Sequence, residues 1–200
     1  MSAFPSPAWE WEDSHRTTEP TTTLPGMSDR RSGFVFGPAV ANADLISYDL
    51  ESYPSDLLKH VESLENRSDE LDSPVRLNLI KCAIYELDQA AKGFRNVYQR
   101  VFTSNKQSSK WFDRMNRQLM DLEKSFIHKT GLQDRPWNRS LFTAEDPFSG
   151  YGSWMLPDLR YELEHRSTEN IQKWESTYVR AVETLGSRIR KITESLSSLG

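Results

Sequence analysis

Apolar residues recur at steps of three and four along most of the chain after residue 50. A stripe of leucines and a valine predicts a first amphipathic helix from about Leu50 to Asn66, and Pro54 suits its first turn. The most regular segment follows, with Ser73 as its N-cap and Pro74 at its first helical position. This second helix is predicted to extend to Val101. Its stripe consists of Leu77, Ile80, Ile84, Leu87, Ala91, Phe94 and Val101.

Two more helices are predicted in the second half of the chain. The third follows the polar segment TSNKQSS and carries Phe112, Met115, Leu119, Leu122 and Phe126 on one face. The fourth begins near Ser167 or Thr168 and carries Ile171, Trp174, Tyr178, Ala181, Leu185, Ile189, Ile192 and Leu196. Two glycines lie inside these patterns: Gly93 indicates a close helix crossing, and Gly186 indicates fraying or a kink. Four amphipathic helices predict an all-α fold, an antiparallel four-helix bundle.

The connection before the last helix, from Gly131 to Leu159, has almost no helical periodicity. It reads GLQDRPWNRSLFTAEDPFSGYGSWMLPDL and contains three prolines and two tryptophans. Connections in compact domains usually span about 4–6 residues, and longer ones tend to be functional or disordered. This connection is too aromatic to be typical of disorder. We therefore predict a long ordered loop with a function.

Residues 1–42 have a different composition from the rest of the chain. They are rich in Pro, Ser and Thr, which predicts a disordered N-terminal segment before a helical domain at residues 43–200. Within it, Phe34 to Val40 (FVFGPAV) is interpreted as a short strand or a docking segment. No signal peptide is predicted, because no basic region precedes an apolar run. No apolar run approaches the roughly 18 residues of a membrane span, so membrane insertion by this chain is not expected. The compartment is left open.

Charge and composition argue against several functions. The chain has 25 Lys and Arg against 29 Asp and Glu, a net charge of -4, and residues of the two signs are interspersed along the sequence. A nucleic-acid-binding domain needs a clustered basic face, so no nucleic-acid partner is predicted. The 36% of hydrophobic residues suits helices that each bury one stripe.

Motifs of known chemistry are not found in the sequence. There is no HExxH, CxxC, GxSxG or phosphate-binding glycine loop, so no metal, cofactor or catalytic residue is predicted. The four histidines have no ligand spacing: His15, His60, His128 and His165. Cys82 lies in the second helix and is predicted to be a buried thiol. Asn66 and Asn138 each begin an NRS glycosylation pattern, to which we give low weight. A helical domain of this kind is typical of interaction or assembly modules.

Several motifs occur in a characteristic order between Arg114 and Glu164. They are MNRQLMDLEKSFI at Met115–Ile127, GLQDRPWNR at Gly131–Arg139, a loop tyrosine at Tyr151, and the Leu156–Pro157 step before a helix. This block resembles the C-terminal dimerisation domain of the transferrin receptor and glutamate carboxypeptidase family.

The resemblance extends more weakly from about Asp44 to about Ser197. It implies a helical bundle that follows a zinc-dependent peptidase-like domain and a protease-associated domain, and that pairs with its copy in a second subunit. It also implies that the long loop reaches toward the peptidase cleft. The family's metal ligands and catalytic carboxylate lie in the preceding domain, which residues 1–42 do not resemble. The chain is therefore expected to be non-catalytic, as a fragment or a standalone module.

The resemblance implies roles for three residues of the loop. In the family's peptidases, the tyrosine at the place of Tyr151 helps to hold an acidic substrate side chain beside a lysine. Here Gly150 stands at the lysine position, and the more frequent role for such a tyrosine is that of a packed loop aromatic. Gly150 and Gly152 allow a sharp turn on either side of the phenol. Arg139 offers a fork of donors to carboxylates or loop carbonyls.

Three functions remain open. The first is a non-catalytic homodimerisation domain, with contacts expected from Trp111, Trp154, Met155, Trp174 and Tyr178, whose size exceeds what a small core needs. The second is the C-terminal part of a zinc metallocarboxypeptidase, whose loop completes the cleft of a peptidase domain supplied in cis or in trans. The third is a generic helical scaffold for another partner.

Overall fold

A computed structural model of the protein describes residues 46, 48–69, 71, 74–104, 108–165 and 167–198. The predicted N-terminal segment, its boundary at residues 42 and 43, and the segment Phe34–Val40 lie outside these residues. The elements in the described part are α1 (Ser52–Ser68), α2 (Asn78–Ser104), α3 (Ser109–Met120), a 3-10 helix (Leu122–Phe126), β1 (Thr143–Glu145), β2 (Ser153–Met155), α4 (Pro157–Glu164) and α5 (Ile171–Ser197). The prediction of a helical, all-α fold is confirmed.

Helix α5 lies at the centre of the fold. It packs along α2 and also contacts α3, the 3-10 helix and α4, while α1 packs on α2 and α4. The apolar side chains that α5 buries recur every three or four residues, because that spacing places them on one side of an α-helix. They are Ile171, Trp174, Tyr178, Ala181, Val182, Leu185, Ile189, Ile192 and Leu196. All the positions predicted for this stripe are buried.

Two buried carboxylates hold the N-terminus of α2. Glu65 of α1 accepts a hydrogen bond from the backbone N–H of Leu77 at 2.7 Å. Glu175 of α5 accepts from the N–H groups of Leu79 at 3.0 Å and Ile80 at 3.3 Å. The first N–H groups of a helix have no partner within the helix, and they favour negative charge. Side chains from two neighbouring helices therefore cap α2.

The predicted start of the second helix at Pro74 is wrong. Ser73 lies outside the described residues, and α2 begins at Asn78. The N–H of Val75 donates to the hydroxyl of Ser68 at 2.9 Å, so the segment before α2 is held across the end of α1. Residues 74–77 are therefore a non-helical crossing with two buried apolar side chains, those of Val75 and Leu77.

Ion pairs at both ends of α1 set its direction against α2. Glu51 pairs with Arg95, and Glu65 pairs with Lys81. The start of α1 therefore lies near the end of α2, and the two helices are antiparallel. Glu175, in the first turns of α5, contacts the first turn of α2. The two 27-residue helices start side by side and pack together, so they run in the same direction, which differs from the expected antiparallel bundle.

The third helix is shorter than predicted. It ends at Met120, and Leu122–Phe126 form a 3-10 helix. Arg188 of α5 donates to the carbonyl of Asp121 at 2.7 Å and to the hydroxyl of Ser125 at 3.1 Å. The α-helix thus changes to a 3-10 helix at the residue whose carbonyl accepts a hydrogen bond from Arg188 of α5. Periodicity alone does not separate the two helix types over so short a segment.

The inference about Gly93 is wrong, and so is the fraying expected at Gly186. A Cβ atom added at Gly93 meets no atom within 4 Å, so this glycine does not mark a close crossing within the described residues. Helix α5 continues through Gly186 to Ser197, so it does not fray there.

The connection between the 3-10 helix and α5 is ordered and carries its own elements. Strands β1 and β2 form an antiparallel hairpin in which Ala144 faces Trp154. Helix α4 follows, with Pro157 in its first turn and Leu156 before it at a positive φ of 51°. Periodicity did not predict helix α4, because eight residues are too few for a clear periodic signal, but the family motif places a helix after the Leu156–Pro157 step.

A tight turn at the start of the connection requires glycine. Gly131 has a φ of +83°, and a Cβ atom there would lie 2.3 Å from the carbonyl oxygen of Pro136. Gly150 in the hairpin also has a positive φ, of +70°, but a Cβ atom there would meet nothing within 4 Å. A side chain would strain the backbone at both positions, because both have a positive φ, but only at Gly131 would it overlap another atom.

We expect Gly131→Ala to destabilise the protein by more than about 3 kcal/mol, because backbone strain and overlap with Pro136 combine. Gly150→Ala is the matched control and should cost about 1–2 kcal/mol, from strain alone. Chemical denaturation of both variants measures the difference. Equal losses would show that the turn at Gly131 relaxes freely and would contradict the proposed constraint.

Candidate interaction surfaces

Arg139 fastens the start of the long loop. Its guanidinium donates to the carbonyls of His128 and Lys129, each at 3.0 Å, and the N–H of His128 donates back to the Arg139 carbonyl at 2.8 Å. The predicted fork of donors is present, and loop carbonyls accept it. Arg139 therefore joins the segment at His128 and Lys129 to its own segment of the loop.

The hairpin tip is built around Asp146. Its carboxylate accepts hydrogen bonds from the N–H of Phe148 at 2.9 Å and from the hydroxyl of Ser149 at 2.7 Å. Its backbone also bonds to Gly150 and Gly152, each at 2.8 Å. The bond from Ser149 lowers the pKa of Asp146 below its usual value. The tip is a closed turn held by local hydrogen bonds.

Tyr151 projects from this tip, and its side chain is 100% exposed. The interpretation of Tyr151 as a packed loop aromatic is therefore wrong. Phe148 is also exposed, although its ring lies 5.7 Å from that of Trp154 and 5.5 Å from that of His165. Trp137, in the turn that follows Arg135, is exposed as well. We call Phe148 and Tyr151, which lie in the hairpin turn, the aromatic tip.

A buried polar cluster holds the loop on α5. Asp158 accepts a hydrogen bond from the N–H of Gln133 at 2.9 Å, and its own N–H donates to the hydroxyl of Tyr178 at 3.3 Å. The indole N–H of Trp174 donates to the side-chain oxygen of Gln133 at 2.8 Å. The guanidinium of Arg135 is buried beside Asp158 and donates to the carbonyl of Glu145 in β1 at 2.7 Å. The cluster therefore joins the loop, the hairpin, α4 and α5.

Burial changes the acidity of Asp158. The residue is 1% exposed, and loss of solvent raises the pKa of its carboxyl from 3.8 to about 6. The N–H of Gln133 and the charges of Arg135 and His128 act in the opposite direction, while Glu162 adds to the increase. Desolvation is the largest of these effects, so the ionised carboxylate destabilises the fold.

Three of the five predicted interface residues lie in the core of the chain. Three side chains are buried because they face the loop or the interior of the helical domain: those of Trp154, Trp174 and Tyr178. They have almost no exposed surface that could contact a second copy of the chain, so we do not propose them as interface residues. Trp111 and Met155 are half-buried. The size of an aromatic residue did not distinguish a core position from an interface position.

A groove on the outer side of the α2–α5 pair was not predicted. It has a volume of about 880 Å³. Its apolar and small residues are Leu79, Cys82, Ala83, Leu87, Ser176, Val179, Val182, Gly186 and Ser187. Leu79 is 61% exposed at its rim. The prediction that Cys82 is buried is wrong, because its position on α2 faces this groove instead of the core. We call this feature the α2–α5 groove.

Charged side chains of both signs line the same groove. They are Glu86 on α2, and Glu183 and Arg190 on α5. Within the part of the chain that the structure describes, none of the three has an ion-pair partner. The groove thus combines an apolar floor with unpaired charges at its edges.

The described residues give two further findings. No group of three or more His, Cys, Asp or Glu side chains among them is arranged to hold a metal ion. None of the helices in the described ranges is long and apolar enough to cross a bilayer.

Residues 75–190 match the model of the transferrin receptor-like dimerisation domain. The matched part is more than half of the chain and runs from the segment before α2 into α5. The chain belongs to the transferrin receptor-like dimerisation domain family. The α2–α5 groove and the aromatic tip both lie within this family domain.

A relative of the family domain is the probable glutamate carboxypeptidase LAMP1 of Arabidopsis thaliana. The two sequences are 25% identical over 138 residues. The alignment covers 68% of this chain but 19% of the relative, so the chain spans a minor part of the relative's length. The resemblance inferred from the MNRQLMDLEKSFI and GLQDRPWNR motifs is confirmed at the level of the family.

We expect Asp158→Asn to flatten the dependence of stability on pH. The folded-state pKa of Asp158 is higher than the unfolded value, so the folded protein binds the extra proton between about pH 4 and 6. Stability from this group is therefore lost as pH rises through 6. Asparagine stays neutral and keeps an acceptor for Gln133, so the variant should be more stable at pH 7.5, by up to about 3 kcal/mol.

The measurement is urea unfolding of both proteins from about pH 2.5 to pH 7.5, a range that includes the titration of Asp158 and the acid range in which Asp146 is protonated. Asp146→Asn serves as a control of opposite sign, because the lowered pKa of Asp146 stabilises the fold above its titration range and that contribution is lost in acid. Parallel pH profiles for wild type and Asp158→Asn would show that burial does not shift the titration of Asp158.

Proposed function

We propose that this chain is a non-catalytic homodimerisation domain and that two copies associate through the α2–α5 groove. The observation that carries the proposal is the apolar lining of that groove on the two longest helices of the family domain, where Leu79 and Cys82 are exposed. Exposed apolar area with a charged edge is typical of a surface that is covered in the assembled protein.

The loop supports a role in association. Its polar side chains serve to hold the loop itself: Arg139 binds loop carbonyls, Asp146 closes the hairpin, and Asp158 fixes the loop to α5. These side chains are engaged within the chain and rigidify it. A rigid surface loses less entropy on binding than a mobile one.

A second candidate function rests on the aromatic tip. Tyr151 is completely exposed although the turn that carries it is closed by hydrogen bonds. An ordered tip with exposed aromatic rings suits insertion into another surface, since aromatic side chains supply large contact areas at a low entropic cost. The alternative is therefore that the tip contacts a peptidase-like domain in cis or in trans, as the name of the Arabidopsis relative suggests.

We expect Leu79→Asp to weaken the homodimer. Burying one leucine stabilises an association by about 1.5–3 kcal/mol, and a symmetric dimer contains two copies of Leu79. The dissociation constant should therefore rise at least about tenfold. Sedimentation equilibrium over a range of protein concentrations measures it.

Tyr85→Asp is the matched control. Tyr85 lies on the same helix and is exposed to a similar extent, 63% against 61% for Leu79, but it does not line the groove. Circular dichroism verifies that both variants fold. A wild-type chain that stays monomeric at high concentration would contradict homodimerisation. Equal effects of the two substitutions would contradict the groove as its site.

The second candidate predicts that the tip binds the remainder of a peptidase. The probe is the part of the Arabidopsis relative outside the matched segment, co-expressed with this chain. Capture should be lost in the double variant Phe148→Ser with Tyr151→Ser, because both exposed rings are removed, and retained in Tyr85→Ser. Equal recovery with both variants, or none with wild type, would argue against this function.

A further inference from the structure

Two charges of opposite sign on α5, Glu183 and Arg190, line the groove. Glu183 and Arg190 are seven residues apart, which is close to two turns, so both lie on the side of α5 that lines the groove. They are separated by about 10 Å along the helix axis. Their midpoint lies between Gly186 and Ser187.

The residues at that midpoint are small, but Gly186 is buried and the Arg190 side chain lies over it. Gly186 has no side chain, and a Cβ atom there would meet, within 4 Å, atoms of the Arg190 guanidinium at 3.7–3.9 Å. Ser187 is small and also lines the groove. Two helices approach closely where their surfaces carry small side chains, because backbone atoms can then come into contact range. A close crossing at this midpoint therefore requires the Arg190 guanidinium to turn outward, away from Gly186.

We propose, resting on the proposed homodimer, that α5 of one copy crosses α5 of the other in an antiparallel direction about a two-fold axis between Gly186 and Ser187. Each copy's Glu183 then pairs with Arg190 of the partner subunit. In a two-fold interface, residue i contacts j and j contacts i, so the pair forms twice. Both charges that lack a partner within the described chain gain one.

The opposite orientation is unfavourable. Parallel α5 helices would place Glu183 against Glu183 and Arg190 against Arg190 of the partner subunit, and like charges in a partly desolvated contact repel each other. Glu86 on α2 forms the other wall of the groove and adds negative charge there. An incoming Arg190 of the partner subunit therefore meets carboxylates on both walls. The charge pattern favours a second copy of this chain as the occupant.

Charge-swap variants test the pairing. In the Glu183→Arg variant, both residues of each proposed pair are arginines. In the Arg190→Glu variant, both are glutamates. The homodimer dissociation constant of each variant should therefore be at least about tenfold higher than that of wild type. An equimolar mixture of the two variants has complementary charges at both contacts and should form a heterodimer. The double variant Glu183→Arg with Arg190→Glu should form a homodimer again.

The control variants are Arg180→Glu and Glu194→Arg. Both positions are exposed on α5 and do not line the groove, so their mixture should behave like either variant alone. Native mass spectrometry with one isotope-labelled partner measures the heterodimer, and raising the salt concentration should weaken wild type more than an apolar contact alone would.

The outcomes separate this inference from the proposed function. A dimeric wild type whose charge swaps behave like the controls overturns the pairing and leaves homodimerisation in place. Weakened single variants without recovery in the mixture overturn the antiparallel crossing. A monomeric wild type overturns both.

Discussion

Helix α5 packs along α2, and the two helices start side by side because Glu175 of α5 accepts hydrogen bonds from the first N–H groups of α2. Glu65 of α1 holds the same helix end from the other side. Charges that are nearly buried are tolerated here because the helix N-terminus supplies several donors and a favourable dipole. The register between α1, α2 and α5 follows from this junction, and so does the position of the groove between α2 and α5.

The long loop depends on α5 as well. Tyr178 and Trp174 are core residues, yet each also serves a polar partner in the loop, Asp158 and Gln133 respectively. Buried polar groups cost stability unless they are hydrogen-bonded, so this cluster fixes one position of the loop on the helix. Arg135 extends the same cluster to the hairpin. The exposure of Tyr151 is thus a consequence of an ordered support and not of a loose loop.

The helical fold was predictable from periodicity, since the stripe of α5 is buried as expected and the motifs of the loop indicated the family. Residues whose role depends on the neighbouring helix were not predictable. Pro74 has every local property of a helix start, but Glu65 and Glu175 move that start to Asn78. Cys82 lies next to buried Ala83 and still faces the groove. The groove itself has no signal in one helix, because it forms where two helices meet and neither fills the space.

The two faces of α5 explain how one helix can take part in two kinds of contact. Residues such as Trp174 and Tyr178 face the loop and the core, whereas Ser176, Val179 and Glu183 line the groove. The groove and the aromatic tip consist of different residues. A partner bound at one of these surfaces therefore leaves the residues of the other surface free for a second contact. In the proposed dimer, a substitution in the groove therefore changes pairing without removing the support of the loop. A change at Tyr178 would disturb both, because its ring fills the core and its hydroxyl holds Asp158.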